Sequence, residues 1–456
     1  MISVNPVIFR EYDIRGIVGK DLTEIVVEHL GKAYGTYVRR SGLRDVVVGR
    51  DGRMSSEGFQ EAVTKGILST GCNVTDIGLC PTPVVYFSIF HLNKEGGIAV
   101  TGSHNPPDYN GFKICVGKET IYGKQIQVLK ALIENADYEK GSGRLDSYNI
   151  IPDYLNFLRK NIKIHGPIKV VIDAGNGVTG ITAPKILEDM GCKVFPLYCE
   201  VDGSFPNHIA DPTVIENLKD LIEKVKEVKA DVGFAYDGDG DRLGVVDENG
   251  NILWGDQLLM IFSRDILKRN PGAKIIGEVK CSQLLFDDIK KHGGQPIMWK
   301  VGHSLIKNKL KQEKALLAGE MSGHTFFADR YFGFDDAVYA CLRLLEILTQ
   351  KGQKLSEILA DVPKVYSTPE IRTECPEEIK FKVVERAQEY FSKHYNSVTI
   401  DGVRIIFDDG WALIRASNTQ PALVLRFEAT RTERLEEIKN MVEEKLRGFM
   451  EEVRKK

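Results

Sequence analysis

The segment DGDGDR at residues 237–242 carries three aspartates at alternate positions, Asp237, Asp239 and Asp241. Carboxylate oxygens are the ligands that hard divalent cations prefer, and the intervening glycines permit a tight loop that turns these oxygens inward. Three carboxylates leave coordination positions open for a phosphoryl oxygen, which suits Mg²⁺ in phosphoryl transfer. A solvated acidic turn is the alternative, but its aspartates would repel each other without a counter-ion. The segment therefore predicts a Mg²⁺ site.

The same spacing matches the start of a calcium-binding EF-hand loop. The three aspartates occupy its first, third and fifth positions, and Glu248 falls at its twelfth. Arg242, however, stands where that loop requires glycine, and the following LGVVDENGN predicts a strand and a turn. We therefore exclude an EF-hand.

A second reactive segment is the loop TGSHNP at 101–106, which follows the apolar run Gly97–Val100. This run predicts a strand, so Ser103 is expected at the strand's carboxyl end, where open α/β sheets bind ligands. A serine needs a neighbouring base or an attached group to react, and the loop lacks the G-x-S-x-G pattern of α/β-hydrolases. Lys113 and Arg15 are cations able to stabilise a phosphoserine. Without them, a structural turn would be the better explanation of this loop.

Two further loops carry groups that fit a sugar phosphate. In GEMSGH at 319–324, Glu320 and Ser322 can accept and donate hydrogen bonds to vicinal hydroxyls. In RASNTQP at 415–421, a guanidinium, hydroxyls and an amide can surround a phosphate dianion. An ordinary polar turn remains the alternative for each loop taken alone.

The elements that must position these loops recur along the chain. Residues 46–72, 170–192 and 275–294 each show a β-branched run, a polar loop, a helical stretch and a terminal glycine, followed by another apolar run. The glycines are typical of helix C-termini. A strand, a crossover helix and a second strand form a βαβ unit, so we predict three related α/β domains with largely parallel sheets.

The C-terminal part has a different pattern. A helical stretch at 380–391, three strand-like runs and a charged helix from Thr432 predict a smaller α+β domain. Clusters of turn residues mark the boundaries between units. The predicted domains are 1–147 with the serine loop, 148–250 with the metal loop, 251–365 with the sugar loop and 366–456 with the phosphate loop.

Composition limits the class of protein. The 456 residues hold 61 Lys+Arg against 64 Asp+Glu, a net charge of -3, so no overall field favours nucleic acid or a membrane surface. No apolar stretch is long enough to span a bilayer, and charged residues stand where a signal peptide would be apolar. Eight scattered cysteines without a C-x-x-C pair indicate reduced thiols. We expect a cytoplasmic protein; the sequence does not indicate its oligomeric state.

In their order along one chain, these loops resemble those of the α-D-phosphohexomutase family, most closely its phosphomannomutase/phosphoglucomutase branch. The resemblance runs nearly end to end. Further matching segments are FREYDIRG at 9–16, VVVGRDGR at 46–53, NHIADPT at 207–213, VKCS at 279–282, GHS at 302–304 and FGFDDAVY at 332–339.

The resemblance implies three α/β domains, a fourth domain closing over a central cleft, and reversible phosphoryl transfer between the 1- and 6-positions of mannose or glucose phosphates. A phosphoserine and a hexose 1,6-bisphosphate, which also serves as activator, would carry the phosphoryl group. Ser103 would be the phosphoserine and would complete the Mg²⁺ site of Asp237, Asp239 and Asp241.

Other site residues follow from the resemblance position by position. The proposed catalytic cations and histidine, among which the sequence does not identify the general acid or base, are Arg15, Lys113 and His303. The implied substrate-binding residues are Tyr12, Arg242, Lys280, Glu320, Ser322, His324, Arg415, Ser417, Asn418 and Thr419. Gln420 departs from the Glu or Thr common in the family, and we expect its side chain to point outward.

Three rival functions remain open. A phosphoglucosamine mutase is the nearest, although Met321 in GEMSGH resembles the mannose/glucose branch. A non-catalytic sugar-phosphate binding protein would not need the Ser103 loop with its cations. A phosphatase would need a water-activating base, and none stands out.

Overall fold

Three crossover units and a fourth, antiparallel unit make up the computed structural model, which describes residues 4–418 and 420–454. The first unit contains a seven-stranded sheet. Its strands are β1 Ile14–Ile17, β2 Asp45–Arg50, β3 Asn73–Leu79, β4 Gly96–Val100, β5 Tyr109–Val116, β6 Glu119–Thr120 and β7 Leu145–Ser147. Its helices are α1 Glu24–Arg40, α2 Ser56–Leu68, α3 Thr82–His91 and α4 Lys124–Glu134.

The strand order of the first sheet is β1-β5-β4-β2-β3-β7, with β6 beside β5. Strands β4, β2, β3 and β7 are parallel, whereas β5 runs against both β4 and β1. Lys113 on β5 pairs with Ala99 on β4, and Arg15 on β1 pairs with Gly111 on β5. The sheet therefore places Lys113 on the strand next to the one that leads into the Ser103 loop, and Arg15 one strand further away.

The second unit holds a five-stranded sheet of order β12-β11-β10-β8-β9. Its elements are α5 Ile151–Asn161, β8 Lys169–Asp173, α6 Ala183–Asp189, β9 Lys193–Leu197, α7 Lys219–Val228, β10 Val232–Tyr236, β11 Leu243–Asp247 and β12 Ile252–Leu253. Strands β10, β8 and β9 are parallel, and β11 turns back antiparallel to β10. The metal loop is the connection between β10 and β11.

The third unit holds a four-stranded sheet of order β14-β13-β15-β16. Its elements are α8 Gly255–Arg269, β13 Lys274–Glu278, α9 Gln283–Lys291, β14 Gln295–Trp299, α10 His303–Glu313, β15 Leu317–Gly319, β16 Thr325–Phe327 and α11 Ala337–Lys351. Only the β15–β16 pair is antiparallel, and the predicted sugar loop joins these two strands.

The fourth unit is an antiparallel sheet of order β17-β22-β21-β20-β19, with β18 also paired to β22. Its elements are β17 Tyr366–Ser367, β18 Ile371–Glu374, α12 Glu377–His394, β19 Asn396–Val398, β20 Val403–Phe407, β21 Gly410–Ala416, β22 Ala422–Ala429 and α13 Thr432–Arg454. The phosphate loop connects β21 to β22. This architecture confirms the predicted fold class, including the smaller α+β unit.

The predicted repeat is confirmed by the pairing of its strands. Each unit contains a strand, a helix and a next strand that form a parallel crossover: β2-α2-β3, β8-α6-β9 and β13-α9-β14. The glycine that follows each helix has a left-handed backbone, with φ of +87° at Gly71, +85° at Gly191 and +80° at Gly293. Glycine suits these positions because it lacks the Cβ that disfavours this conformation.

One apolar cluster links the first three units, the first unit has a further core of its own, and the fourth unit has a separate core. One continuous cluster runs from Phe87 on α3 through Phe234 on β10 to Leu344 on α11. The fourth unit has its own core, which includes Phe391 and Phe427. A separate small cluster, Val279 with Trp411 and Leu413, joins the third and fourth units.

Polar contacts accompany this small cluster. Arg404 donates hydrogen bonds of 2.7 Å to the carbonyls of Val279 and Cys281 across the junction. Among the helices within 4–418 and 420–454, none combines the length and apolar character needed to cross a membrane.

Candidate active site

Ser103 lies in the loop that follows β4, three residues beyond Val100, at the carboxyl end of that strand. Its side chain is buried, and its backbone has a left-handed φ of +49°. The backbone N–H of Ser103 donates a hydrogen bond of 2.8 Å to Thr101 Oγ1. The Ser103 hydroxyl donates a hydrogen bond of 2.8 Å to Asp237 Oδ2, so the serine and metal loops meet directly.

Asp237 shapes the metal loop as well as contacting Ser103. Its Oδ1 accepts hydrogen bonds from the backbone N–H groups of Gly240, Asp241 and Arg242, at 3.0, 3.0 and 3.1 Å. One carboxylate oxygen thus folds the loop after β10, while the other faces Ser103. This division explains why the sequence places an aspartate directly at the end of the strand.

The other two aspartates share Lys113 as a counter-ion. The Lys113 ammonium donates to Asp239 Oδ2 at 2.7 Å and forms a short ion pair with Asp241 Oδ2. Asp239 Oδ2 also accepts a 2.6 Å hydrogen bond from the Thr82 hydroxyl. Within the described part of the chain, Oδ1 of both aspartates has no hydrogen-bond partner.

These three aspartates form a group able to hold a metal ion. One ligand oxygen from each lies within 4.8 Å of the others, and all three side chains are fully buried. Burying carboxylate oxygens without partners is costly, and a hard cation would satisfy them. Oxygen-only donors fit Mg²⁺, so the residues present suit the predicted ion.

The pKa values of Asp237 and Asp239 are shifted in opposite directions. Burial, reinforced by the charges of Asp239 and Asp241, raises the pKa of Asp237 well above its ordinary value. Burial also disfavours the charged form of Asp239, but Lys113 outweighs it and holds the pKa of Asp239 below its ordinary value. The same carboxylates overcome burial at Lys113 and raise the pKa of its ammonium.

Gly238 allows the serine and metal loops to approach this closely. A Cβ at Gly238 would lie 2.5 Å from the carbonyl oxygen of Ser103, which is shorter than real Cβ contacts. Any larger residue would separate the two loops. The sequence suggested the glycines as flexible spacers, whereas the structure shows that this one is required by close contact.

Arg15 and Tyr12 line the site from the first unit. Arg15 Nη1 donates to Asn105 Oδ1 in the serine loop at 3.0 Å, and its Nη2 pairs with Asp13. The Tyr12 hydroxyl donates to the carbonyl of Val301 at 2.9 Å, next to α10. Burial raises the pKa of Tyr12, so the hydroxyl keeps its proton.

His324 and Arg242 connect the sugar loop with the metal loop. Arg242 Nε donates to His324 Nε2 at 3.1 Å and lies 3.9 Å from Asp237 Oδ2. His324 Nδ1 lies 3.0 Å from Asp335 Oδ2, although the angle is poor for a hydrogen bond, and 3.6 Å from Asp241 Oδ1. The His303 ring stacks on the His324 ring with centroids 5.7 Å apart.

His303 begins α10 and is buried. Its Nδ1 has no hydrogen-bond partner among the described residues and lies 4.0 Å from Asp335 Oδ2. Burial, with the nearby Lys307 charge, lowers the pKa of His303 well below its ordinary value.

Lys280, Glu320 and Ser322, which the sequence predicts to bind substrate, follow the ends of strands in the third unit. Glu320 Oε1 accepts a 2.7 Å hydrogen bond from the backbone N–H of Gly302. Ser322 is partly exposed in the same loop. Lys280 donates to Glu370 Oε2 at 3.1 Å and lies 3.8 Å from Glu278 Oε1. Of these side chains, Glu278 and Glu370 were not anticipated from the sequence.

The phosphate loop faces the first unit. Arg415 donates through Nε to Asp401 Oδ2 at 3.2 Å, and Asn418 donates to the Tyr12 hydroxyl. Ser417 Oγ accepts from the backbone N–H of Gln420 at 3.1 Å. Gln420 itself is exposed, as expected. Thr419, the remaining predicted residue of this loop, lies outside the described residues.

Three more buried residues that contact the site, Thr82, Asp335 and Arg53, were also missed by sequence reasoning. Thr82 binds Asp239 but stands alone in its segment, without any pattern that marks it. Asp335 and Arg53 lie within FGFDDAVY and VVVGRDGR, segments noted as matches without an assigned role. Asp335 contacts His324, and Arg53 contacts the backbone of the serine loop.

Comparisons with known proteins agree with this arrangement. Family models match the chain as phosphoglucomutase/phosphomannomutase alpha/beta/alpha domain I at 6–140, domain II at 152–250, domain III at 254–366 and the C-terminal domain at 370–445.

Individual relatives cover almost the whole chain. A phosphomannomutase/phosphoglucomutase of Pseudomonas aeruginosa is 50% identical over 442 residues, 97% of this chain and 96% of the relative. A phosphoglucomutase of Neisseria gonorrhoeae is 45% identical and covers 96% of each chain. The crystal structure of a phosphoglucomutase/phosphomannomutase family protein from Burkholderia thailandensis is 42% identical, with a TM-score of 0.93 over 99% of this chain and 98% of that one.

Proposed function

Because this chain belongs to the phosphoglucomutase/phosphomannomutase family, we propose that Ser103 carries the phosphoryl group in its reaction. The enzyme is a hexose-phosphate mutase, which exchanges a phosphoryl group between the 1- and 6-positions of mannose or glucose phosphates. The observation that supports this role is the 2.8 Å hydrogen bond from the Ser103 hydroxyl to Asp237, one of the three aspartates of the predicted metal site. Lys113 pairs with a second of these aspartates, and Arg15 binds Asn105 in the Ser103 loop.

The first transfer forms a bisphosphate. The free 6-hydroxyl of a hexose 1-phosphate attacks phosphoserine, a new P–O6 bond forms and the bond from phosphorus to Ser103 Oγ breaks. The hydroxyl proton passes to a base, and Ser103 Oγ becomes a hydroxyl. The 1,6-bisphosphate then turns end for end, and the same exchange runs in reverse at the 1-phosphate.

Charge stabilisation dominates such a transfer. Asp237, Asp239 and Asp241 would hold Mg²⁺, which when bound would neutralise charge on the phosphoryl oxygens. Lys113 is buried beside these aspartates, and their negative charges keep its ammonium protonated. The ammonium would therefore also offset the negative charge of a phosphoserine. Of the predicted candidates Arg15, Lys113 and His303, the histidine is the one able to accept the hydroxyl proton, because its pKa is lowered whereas Lys113 stays protonated.

The other residues would hold the sugar and its second phosphate. Glu320, Ser322 and His324 would contact the sugar hydroxyls, while Arg415, Ser417, Asn418 and Thr419 would surround the phosphate that does not react. Tyr12, Arg242 and Lys280 would line the path between them. A phosphate loop that accepts either phosphate is needed, because the intermediate must present each end in turn.

The decisive experiment compares wild type with Ser103→Ala. Incubation with glucose 1,6-bisphosphate, followed by intact-mass measurement, should add one phosphoryl group to the wild type and none to the variant. Turnover of glucose 1-phosphate should fall by about 10⁴-fold or more, as expected for loss of a nucleophile. Ser69→Ala, which removes an exposed hydroxyl that bonds the carbonyl of Gly66 in the same unit, is the control and should keep full activity.

Several outcomes would reject this assignment. A wild type that gains no phosphoryl group, or a folded Ser103→Ala enzyme with ordinary turnover, would remove Ser103 from the mechanism. Faster turnover of glucosamine 1-phosphate than of mannose or glucose 1-phosphate would instead leave Ser103 in place and change the substrate.

We also infer that the enzyme works in the cytoplasm. The support is chemical, since all eight cysteines are free thiols and seven of them are buried. Detection of intramolecular disulfides in protein isolated under non-reducing conditions would contradict this inference.

A further inference from the structure

We propose that Arg53 is a positioning residue that holds the Ser103 loop in the conformation used for phosphoryl transfer. The proposal rests on the role assigned to Ser103 above. Arg53 lies just after β2, outside the groups expected to touch substrate, and its side chain is fully buried.

The Arg53 guanidinium binds four backbone carbonyls of one loop. Its Nη2 donates to Ser103 O at 2.8 Å and to Asn105 O at 2.6 Å. Its Nη1 donates to Pro106 O at 2.6 Å and to Tyr109 O at 2.9 Å. A planar guanidinium offers several donors in one fixed plane, so it can gather the carbonyls of a curved loop as an ammonium cannot.

The loop backbone and an aromatic ring also pack against this guanidinium. A Cβ at Gly102 would lie 2.4 Å from Arg53 Nε and 2.5 Å from its Cζ, so the loop backbone packs directly against it. The Phe205 ring, from the second unit, lies with its centroid 5.1 Å from Arg53 Cζ. Arg53 is therefore fixed between the serine loop and the unit that carries the metal loop.

Asp51 orients Arg53 from the same turn. Asp51 Oδ2 lies 3.3 Å from Arg53 Nε and accepts a 3.1 Å hydrogen bond from the backbone N–H of Gly102. Its Oδ1 accepts from the backbone N–H of Arg53 and from the Ser56 hydroxyl. Asp51 thus binds the loop just before Ser103, at Gly102, and Arg53 binds the carbonyl of Ser103 and those that follow it.

These hydrogen bonds of Asp51 and Arg53 matter because of the backbone conformation of Ser103. A residue with a side chain disfavours the left-handed backbone that Ser103 adopts, so neighbouring contacts must hold it there. The Ser103 carbonyl is bound by Arg53, and the Ser103 hydroxyl reaches Asp237. Release of the carbonyl would let the loop relax and would move the hydroxyl away from the reacting position.

The expected consequence is specific to the chemical step. All the contacts described for Arg53 are internal to the protein, so its replacement should leave substrate binding almost unchanged. Misplacement of a reacting group by about 1 Å can cost about 100-fold in rate. Arg53→Lys keeps the positive charge and loses the planar set of donors. The variant therefore distinguishes the positioning of the loop from the effect of the charge.

The test measures phosphorylation of Ser103 by glucose 1,6-bisphosphate in a rapid-quench experiment with intact-mass detection. We expect Arg53→Lys to slow this single transfer and kcat by about 100-fold, with KM for glucose 1-phosphate changed less than about twofold. The matched control is Arg343→Lys. Arg343 is equally buried, faces the Phe327 ring at 4.5 Å and bonds Asp329, but contacts no site residue. It should lose comparable thermal stability and keep its transfer rate.

A second variant covers the case in which Arg53→Lys does not fold. In Asp51→Asn, the amide cannot accept at both oxygen positions, so the hydrogen bonds that hold the loop weaken without removal of the guanidinium. We expect transfer about tenfold slower, intermediate between wild type and Arg53→Lys.

The results separate this proposal from the one before it. A wild type that is not phosphorylated by the bisphosphate defeats the role of Ser103 itself. A phosphorylated wild type, with folded Arg53→Lys or Asp51→Asn transferring at the wild-type rate, leaves Ser103 in place and overturns the role of Arg53. An equal loss of transfer in Arg343→Lys would likewise overturn it, because the effect would then follow from general destabilisation.

Discussion

The side-chain amide of Asn418 donates a 2.5 Å hydrogen bond to the hydroxyl of Tyr12, joining the last unit of the chain to the first. The same hydroxyl donates to the carbonyl of Val301 in the third unit. One phenol thus connects three units around the site. A phosphoryl transfer that excludes water needs the units around the site to stay together, and this contact would help to hold them.

Removal of this hydroxyl should weaken closure. Tyr12→Phe loses two hydrogen bonds of ordinary strength but keeps the ring, so we expect KM for glucose 1-phosphate to rise about fivefold or more, with a smaller fall in kcat. Steady-state kinetics measure both constants. Tyr148→Phe, which loses one hydrogen bond to Asp153 on the exposed surface, is the control and should leave both constants unchanged. An unaltered KM in Tyr12→Phe would mean that the hydroxyl does not contribute to closure.

The sequence predicted the local part of this arrangement well. The runs at 232–236 and 403–407 form the strands expected there, and the charged helix begins at Thr432. Hydrophobic periodicity and glycine positions are local signals, so they specify helices, strands and the loops between them. The grouping of Ser103 with the three aspartates was available only through the resemblance, because periodicity carries no information on which loops meet.

Residues that act at long range could not be predicted. Thr82 begins a helix in the first unit, and nothing near it in the chain indicates a contact with Asp239. Arg53 was visible only as the final residue of VVVGRDGR, and its four carbonyl partners are set by the fold. Gly238 was recognised as a flexible residue, but its closeness to Ser103 depends on how two units pack.

Gly238→Ala should disturb catalysis without altering the metal ligands. The new methyl group would lie 2.5 Å from the Ser103 carbonyl, so one loop must shift. We expect kcat to fall by about 100-fold, with little change in KM. Gly448→Ala is the comparison variant because its Cβ would meet no atom within 4 Å, and alanine should stabilise that helix by about 0.5–1 kcal/mol. Normal turnover by Gly238→Ala would show that the loops tolerate separation.

Asp239→Asn should reduce the affinity for Mg²⁺. The change removes one of three buried negative charges and weakens the pair with Lys113, so we expect the Mg²⁺ concentration for half-maximal activity to rise at least tenfold. A titration of activity with Mg²⁺ measures this concentration. Asp247→Asn replaces a buried aspartate in the next turn and should leave the titration midpoint unchanged. Activity of Asp239→Asn that is independent of added Mg²⁺ would contradict the ion site.

Asp336 should make folding stability depend on pH. Burial raises the pKa of this carboxyl to about 6, above its ordinary value, although Tyr331 and Tyr154 donate to it. A raised pKa favours the protonated folded state. Its contribution is therefore present in acid and is lost as the pH rises through about 6. Between pH 7 and 4.5, wild type should gain about 2 kcal/mol relative to Asp336→Asn.

Urea unfolding of both proteins at several pH values measures this difference. Asparagine retains the ability to cap the helix that begins at residue 337, so the comparison isolates the titration. A difference in free energy of unfolding that stays constant from pH 4.5 to 7 would argue against a raised pKa.

The separate core of the fourth unit has a consequence for how the molecule comes apart. One apolar cluster links the first three units, in addition to the first unit's own core, whereas the last is joined to the third through Trp411, its small cluster and the hydrogen bonds of Arg404. Two cooperative blocks of unequal size follow, and calorimetry should resolve them as two melting transitions. A substrate phosphate bound between the two blocks would bring their melting temperatures closer together. Calorimetry would therefore measure how strongly the fourth unit is held against the others.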